Sequence, residues 1–389
     1  MQKKGSYDMD LINKTELEDF IKKKNLSKYY DEILDHITKE VKQNLNTLVK
    51  NYRNKERIAS NDLLKDKLPF YDVYPDYDLS KLPYWVRENI NEAFIVGSSK
   101  KVVQVPDGRK YHLDNPLNHL SGQAWTYFTS SVINTRYPTQ GIEGYAHRIR
   151  KIHPSPKPPQ LTRDIISFFT KENEWVIDYF MGVGGTLLGA SLCNRKAIGI
   201  DLNKDYVEKY IEASKELKLT VQPTLTGDSL EILRDKPYFI NDILQGEMAS
   251  LILIDPPYGD MMSRKKTGEA IKKKKDNSAT PFTDSPRDLG NMEHSVFFKN
   301  LKESVRNALD FLKSNGHVVV FIKDIQPKAK QLNLLHADII STLNEIDQLY
   351  YLGTKIWADH TVNLFPYGYP YSYVSNQIHQ YILIFKKKD

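Results

Sequence analysis

The chain has 389 residues, 40% of them hydrophobic, with a formal net charge of +6 and a single cysteine, Cys193. This length accommodates one large domain plus a smaller one around a sizeable core. A lone cysteine excludes an internal disulfide, no His/Cys spacing suggests a structural metal, and the lack of a long apolar run or a leader excludes a membrane span, so the expectation is a soluble, cytoplasmic protein.

Residues 9–58 read as helical, with Leu17, Phe20 and Ile21, then Ile33, Leu34, Ile37, Val41, Leu45 and Leu48, at near-heptad spacing. Thr15 and Glu18 suit the start of the first helix as cap and third residue. Thirteen basic against ten acidic residues over 1–57 do not mark a nucleic-acid tail. Helical packing, within the chain or between two copies, is the expected role. Residues 69–83, rich in Pro, Tyr and Asp, read as a linker. In 84–150, the segment Trp125–Thr129 is compatible with a strand or a helix start. Residues 136–163 carry Arg136, Arg148, Arg150, Lys151, Lys157 and Arg163 against Glu143 alone, interleaved with Tyr137, Tyr145 and His147. That mixture suits a nucleic-acid-facing loop. The Pro-rich stretch 153–159 could be a linker, but a helix-like run, Leu161–Phe169, follows it directly.

Three apolar runs then end in acids, and a further acid falls in a turn between the second and the third. Trp175-Val176-Ile177-Asp178 leads into Tyr179-Phe180-Met181-Gly182-Val183-Gly184-Gly185-Thr186, a strand, a glycine turn and a helix start. Glycines let backbone approach a ligand, and the helix aims its free N–H groups at the same spot. Neither the phosphate loop, which needs Gly-Lys-Ser/Thr, nor the G-x-G-x-x-G fingerprint fits, because position 187 is Leu. Ala197–Ile200 ends in Asp201, about twenty residues on, the spacing at which an acid meets ribose hydroxyls. Asp228 follows in Thr-Gly-Asp-Ser. Leu251–Ile254 ends in Asp255-Pro256-Pro257-Tyr258. A carboxylate and the Pro256 carbonyl can accept both N–H bonds of an aromatic amine and draw its nitrogen toward tetrahedral geometry, while Tyr258 offers a flat face to a base.

The loop after Tyr258, residues 259–295, holds Arg264, Lys265, Lys266, Lys272, Lys273, Lys274 and Lys275 against Glu269, a net +6. A loop of this length is usually functional or disordered, and beside a catalytic motif its lysines suit phosphate contact. Val296–Leu312 reads as a helix and Gly316–Lys323 as a buried strand, followed by an antiparallel pair around Lys355–Trp357 and Gln380–Phe385.

Together, Asp178, Gly182, Gly184, Asp201, Asp228 and Asp255–Tyr258 resemble the S-adenosylmethionine-dependent amino-methyltransferases of DNA, over roughly 153–389. His153-Pro-Ser-Pro-Lys157-Pro158-Pro159 matches the family's Lys-Pro cofactor motif. The resemblance implies that Lys157 and Pro158 belong to the cofactor site and that Asp178, Phe180, Gly182 and Gly184 hold the methionine part of the cofactor. Asp201 would take the ribose hydroxyls, Asp228 would face the adenine, and Asp255, Pro256, Pro257 and Tyr258 would form the catalytic motif. The order, cofactor motifs before the catalytic one, excludes the permuted subgroup.

The expected fold is α/β: a doubly wound, mostly parallel, Rossmann-like methyltransferase sheet with a helical N-terminal extension. The expected division is an extension at 1–68, a connecting region at 69–152 with DNA-facing elements, and a methyltransferase domain at 153–389. The expected reaction moves a methyl group from S-adenosylmethionine to the exocyclic amine of a flipped base in DNA. Adenine N6 is favoured over cytosine N4 because the catalytic motif begins with Asp. RNA or tRNA guanine-amine methylation and a non-catalytic DNA-binding subunit are the alternatives. The implied partners are DNA, a cognate restriction endonuclease, and a second copy through the N-terminal helices. DNA contact is assigned to Arg264, Lys265, Lys266, Lys272–Lys275, Arg148 and Arg150.

The lysine loop yields a direct test. Replacing Lys272, Lys273, Lys274 and Lys275 with Ser should weaken binding to all duplexes alike. Each lost phosphate contact lowers the slope of log affinity against log salt by about 0.9. Titrations at several salt concentrations measure it, and an unchanged slope would mean a merely solvated loop.

Overall fold

The computed structural model describes residues 67–259, 282–324 and 334–389, together with Lys22, which is helical. The rest of the helical expectation for 9–58, and the lysine cluster Arg264–Lys275, lie outside the described residues. The chain divides into two units, Met1–Lys67 and Leu68–Asp389. The second unit holds both sheets.

The smaller sheet contains β1 (Leu68–Pro69), β2 (Phe94–Val96), β3 (Val102–Gln104) and β4 (Lys110–His112), paired antiparallel in sequence order. Its core is Phe70, Leu82, Val86, Val103 and Tyr111. The segment 69–83 is therefore not a linker. Its aromatics pack on one another, with ring centroids of Phe70 and Tyr77 5.8 Å apart and those of Tyr74 and Tyr77 5.6 Å apart. Composition suggested a linker, but buried rings stabilise a compact turn in spite of the prolines.

The larger sheet has eight strands: β5 (Val132–Thr135), β6 (Trp175–Asp178), β7 (Lys196–Asp201), β8 (Thr224–Thr226), β9 (Ala249–Ile254), β10 (Leu312–Ile322), β11 (Leu349–Asp359) and β12 (His379–Lys387). Their order is β5-β11-β12-β10-β9-β6-β7-β8. Only β12 runs antiparallel to its neighbours; the other pairings are parallel. The expected doubly wound sheet is thus observed. Strand β5 joins it, so the sheet draws on the region before residue 153 as well.

The longer helices are α1 (Gly122–Phe128), α2 (Pro159–Phe169), α3 (Gly185–Leu192), α4 (Lys204–Glu216), α5 (His294–Ala308) and α6 (Leu335–Asn344). Segment 125–128 is thereby helical, with Ser121 capping α1 by accepting from the Ala124 N–H at 3.3 Å. The helix expected over 296–312 stops at Ala308. A 3-10 turn follows, and Leu312 already pairs with Ala249 as the first residue of β10, before a bulge.

Alternation along the strands explains the layers. Val176, Leu251 and Leu253 point to one face, where they meet Leu161 and Ile165 of α2 and Leu187 and Leu188 of α3. Ile177, Ile252 and Ile254 point to the other, where they meet Phe297 and Leu301 of α5 and Ile339 of α6. The chain winds from β6 through β7 to β8 on one side and from β9 to β10 on the other. The switch between β6 and β9 opens a crevice at their carboxyl ends, where ligands bind in such sheets.

Gly184 sets the entry to α3. Its φ is +72°, and a Cβ there would lie 2.1 Å from Cδ2 of the buried Tyr210. Gly97 has φ +82° with nothing within 4 Å. Gly97→Ala should carry only the backbone term, about 1–2 kcal/mol. Gly184→Ala adds an overpacking term of about 1–3 kcal/mol. Thermal or denaturant unfolding should rank Gly184→Ala as clearly the less stable; equal losses would mean that Tyr210 moves aside without cost.

Candidate active site at the carboxyl ends of the strands

Asp178 ends β6, Asp201 ends β7, Asp228 lies two residues past β8, and Asp255 directly follows β9. Parallel pairing brings these ends side by side. They surround a cavity of about 470 Å³, within the range of cofactor sites. Phe180, Gly182, Asp201, Asp228 and Asp255–Tyr258 line it, whereas Asp178, Gly184 and Lys157 do not.

Asp201 accepts from the Gly182 N–H at 2.7 Å on one oxygen and from the Asn203 N–H at 2.8 Å on the other. Desolvation raises its pKa to about 6 against the lowering effect of these bonds. Each oxygen keeps a second lone pair. Asp178 is buried behind the glycine turn and accepts from the Phe180 N–H at 3.1 Å. Desolvation pushes it up to about 7, opposed by hydrogen bonds from Thr186 and Phe180. Asp178 therefore orders the loop that carries Phe180 and Gly182. Gly184 serves packing against Tyr210. Asp228 accepts from the Leu230 N–H at 2.9 Å and caps a short helix, with the Arg287 guanidinium 3.7 Å away.

Asp255 is held from two sides. Its Oδ2 lies 2.6 Å from Lys157 Nζ, and its Oδ1 accepts from the Tyr258 hydroxyl at 3.1 Å. Lys157 Nζ also donates to Gln380 Oε1 at 2.7 Å and sits 5.0 Å from the Phe321 ring centroid. The lysine assigned to the cofactor thus backs the Asp255 carboxylate, behind the cavity wall. Pro158 caps α2, setting the direction in which that turn leaves. Pro256 and Pro257 both line the cavity. Tyr258 does not present the open face expected for a base: it is 8% exposed and belongs to the core cluster beneath β9.

Arg150 departs from its expected DNA-facing role. It is 1% exposed and donates to the carbonyls of Val183, at 3.2 Å, and Lys157. Burial lowers its pKa to about 10, and its Nε and Nη2 donors are spent on these carbonyls. It clamps the Lys157 turn to the glycine turn. Arg148 is exposed and paired with Glu216 at 3.0 Å.

Several wall residues were not foreseen. His153 stacks on Phe282, with centroids 5.1 Å apart at 15°, and meets Tyr206 edge-on at 5.0 Å. Desolvation lowers its pKa to about 4, so it is neutral near pH 7. Its neighbourhood to the Lys-Pro motif was the only signal. Asp288 and Asp324 add carboxylates to the wall, and Lys323 adds a cation. Among the described lining residues, Asp201, Asp228, Asp255, Asp288 and Asp324 outnumber the cations Arg287 and Lys323, and one of the five, Asp255, is paired with Lys157 behind the wall. Such a wall favours a cationic ligand and disfavours a polyphosphate.

The model of the DNA methylase family (N6_N4_Mtase) matches residues 1–213, more than half of the chain. The chain belongs to this family of DNA methylases. The match contains the Lys-Pro motif, the glycine turn and Asp201. The Asp255–Tyr258 motif lies beyond it and rests on geometry. Type II methyltransferase M1.MboII of Moraxella bovis is 28% identical over 134 residues, 34% of this chain and 46% of that protein. Type II methyltransferase M2.DpnII of Streptococcus pneumoniae is 37% identical over 81 residues, 20% of this chain and 29% of that one. The tRNA (guanine(10)-N2)-dimethyltransferase of Methanocaldococcus jannaschii is 29% identical over 216 residues, 51% of this chain and 59% of that protein. The chain spans about half or less of the length of these curated relatives.

The cofactor of this methylase family is S-adenosylmethionine, and the cavity fits it. The acid-rich wall suits its sulfonium and ammonium charges, and Asp201 retains lone pairs for two hydroxyls. At Gly182 a Cβ would come within 3.3 Å of His153, so the bare backbone keeps the floor open. Among the described residues, no helix is long and apolar enough to cross a membrane, and no group of acids, histidines and cysteines could hold a metal.

A pH test follows from Asp201. Hydroxyl donors favour its ionised form, whereas in the free protein it gains its proton near pH 6. S-adenosylmethionine affinity should therefore rise with pH from 5 to 7 and level off above, with proton release on binding in that window. Calorimetry in buffers of different ionisation enthalpy measures this, and Asp201→Asn should flatten the profile. The contribution of Asp178 and Asp201 to stability has the opposite sign. Their folded pKa values are raised, so the native state holds extra protons between about pH 4 and 7, and their contribution falls as pH rises.

Proposed function

We propose that this DNA methylase transfers a methyl group from S-adenosylmethionine to the exocyclic amine of a base flipped out of DNA, with adenine N6 as the acceptor. The observation that carries this reading is Asp255, fixed at the end of β9 on the wall of the cavity that also contains Asp201. Cytosine N4 is the nearest alternative, since both amines offer two N–H bonds. The transfer to tRNA named in the archaeal relative is the second alternative.

The bound cofactor supplies an electrophilic methyl group on a sulfonium. The chain supplies position. Lys157 and Tyr258 each occupy one lone pair of the Asp255 oxygens, which leaves one on each free for the incoming amine. The carboxylate and the Pro256 carbonyl accept the two N–H bonds, so the nitrogen lone pair turns out of the ring plane toward the methyl carbon. A C–N bond forms as the C–S bond breaks, and the amine loses one proton, which Asp255 is placed to receive. Positioning of this kind supplies much of the rate.

Asp255→Asn, which keeps the shape and an acceptor oxygen for Lys157, should lower methyl transfer by well over tenfold while S-adenosylmethionine binding remains measurable. A tritium-transfer assay paired with equilibrium cofactor binding decides. Residual activity within tenfold of wild type would sink the role of Asp255. Single-molecule sequencing of host DNA, with and without the chain, should show a methylated base in a fixed context; unmodified DNA with methylated RNA would favour the tRNA reading.

A further inference from the structure

We infer that the connection 360–378 between β11 and β12 is an aromatic platform on which unpaired bases of the DNA substrate stack beside the methylation cavity; this rests on the methylation reading above. The segment places Tyr367, Tyr369, Tyr371 and Tyr373 within seven residues and carries no Asp, Glu, Lys or Arg from 360 to 378. Tyr369 is 80% exposed, Tyr371 93% and Tyr373 91%. Large flat side chains are seldom left so open on a protein that has nothing to lay on them.

Topology aims the segment at the site. Strands β10 and β11 are both antiparallel to β12, so they run in the same direction. The connection therefore leaves β11 at the sheet edge where Asp201 and Asp255 sit. Its far end supplies Gln377 and Gln380 to the cavity wall, and Gln380 is the residue that also holds Lys157.

The segment is built to hold its rings out. The Asn376 side chain accepts from the Phe365 N–H at 2.9 Å and donates to the Phe365 carbonyl at 2.7 Å, closing the neck. The Gly368 carbonyl accepts from Tyr371 and Ser372, each at 2.7 Å, forming a tight turn at the tip. Lys323 Nζ donates to the Gln377 carbonyl at 2.7 Å and ties the neck to the cavity wall.

The occupant follows from the chemistry around it. A second cavity, of about 250 Å³, lies between the neck of this connection and segment 137–160, and shares Ser155, Lys323 and Gln380 with the first. Strand β5 pairs with β11 so that the Thr135 carbonyl accepts from the His360 N–H at 2.9 Å. The exposed Arg136 thus emerges at the base of the platform. Uncharged rings with a cation at their foot and no carboxylate along the segment suit bases and their phosphates. Aromatic stacking accepts any base, because each has a flat face.

The test replaces Tyr369, Tyr371 and Tyr373 together with Ala, and separately with Phe. These side chains are at the surface, so both variants should fold as wild type does. Binding is measured by fluorescence anisotropy with a labelled single-stranded DNA and a duplex containing unpaired bases, alongside calorimetry with S-adenosylmethionine. The Ala variant should lose about fivefold to a hundredfold in DNA affinity for each ring that carries a base, the Phe variant should keep it, and cofactor affinity should not move. Unchanged DNA affinity in the Ala variant, with wild type binding DNA, overturns the platform alone. A wild-type chain that binds neither DNA probe overturns the methylation reading and the platform together. A preference for RNA of the same sequence, lost in the Ala variant, overturns DNA as the occupant.

Discussion

The buried pair between Lys157 and Asp255 is the constraint on which the rest of the site depends. Its members come from the turn before α2 and from the end of β9, and the third participant, Gln380, comes from β12. Lys157 is 8% exposed and Asp255 21%, so it is the lysine charge that depends on its partner: without the carboxylate it would sit in the wall unpaired. The pair forms only when α2 has docked on β9 and the antiparallel hairpin has closed on β10. Arg150 extends the junction by bonding the Lys157 and Val183 carbonyls. The Asp255 carboxylate, the glycine turn and the edge hairpin are thereby joined by one connected set of polar contacts.

That junction divides the acids of the sheet by environment. Asp255 has a cation and a hydroxyl against it and keeps free lone pairs toward the cavity. Asp201 has backbone N–H groups but no cation, and desolvation holds its pKa near 6. Asp178 lies deeper, near 7, and its bonds are spent on Thr186 and the Phe180 N–H. Strand ends that look alike in sequence thus carry an ion-paired carboxylate, a carboxylate held by backbone N–H groups on the cavity wall, and one buried behind the glycine turn. The difference arises from what each strand's neighbour provides, not from the residue type.

The parallel sheet was legible because each buried strand is a continuous apolar run ending in an acid, a local pattern that burial on both faces requires. Chain order gives the sequence Asp178, Asp201, Asp228 across the sheet, but Asp255 lies on the other side of Asp178, because the chain switches direction between β6 and β9. Other features are set by contacts distant in sequence, and those were not legible. Lys157 could be assigned to a cofactor motif, but not to Asp255, because the 2.6 Å contact depends on how α2 docks. Arg150 resembled a surface arginine in a basic stretch. Only the fold shows that two carbonyls claim it. The segment 69–83 has the composition of a linker, yet its rings close a small core. Tyr258 followed its motif to the cavity wall, while its burial was decided by α5 above it.

The stretch between Asp201 and Asp255 is taken up by α4, β8, short helical turns and β9, with no inserted domain, which gives the surrounding loops more weight in substrate contact. Connections that leave β9 and β11 emerge at the same edge of the sheet, because those strands run in the same direction. The first is rich in lysine and the second in tyrosine. Lysines attract phosphate at long range and lose that attraction in salt, whereas ring stacking acts only in contact and is little affected by salt. A substrate drawn by the first and held by the second would be captured through its phosphates and the faces of its bases. On the methylation reading, discrimination between acceptor groups would fall to the cavity wall, where Asp255 and the Pro256 carbonyl would accept a group with two N–H donors. An acceptor-bearing edge presented there would leave the carboxylate facing a lone pair, and a buried, unmatched acceptor is strongly disfavoured. The same geometry that turns the amine for transfer therefore also selects for it.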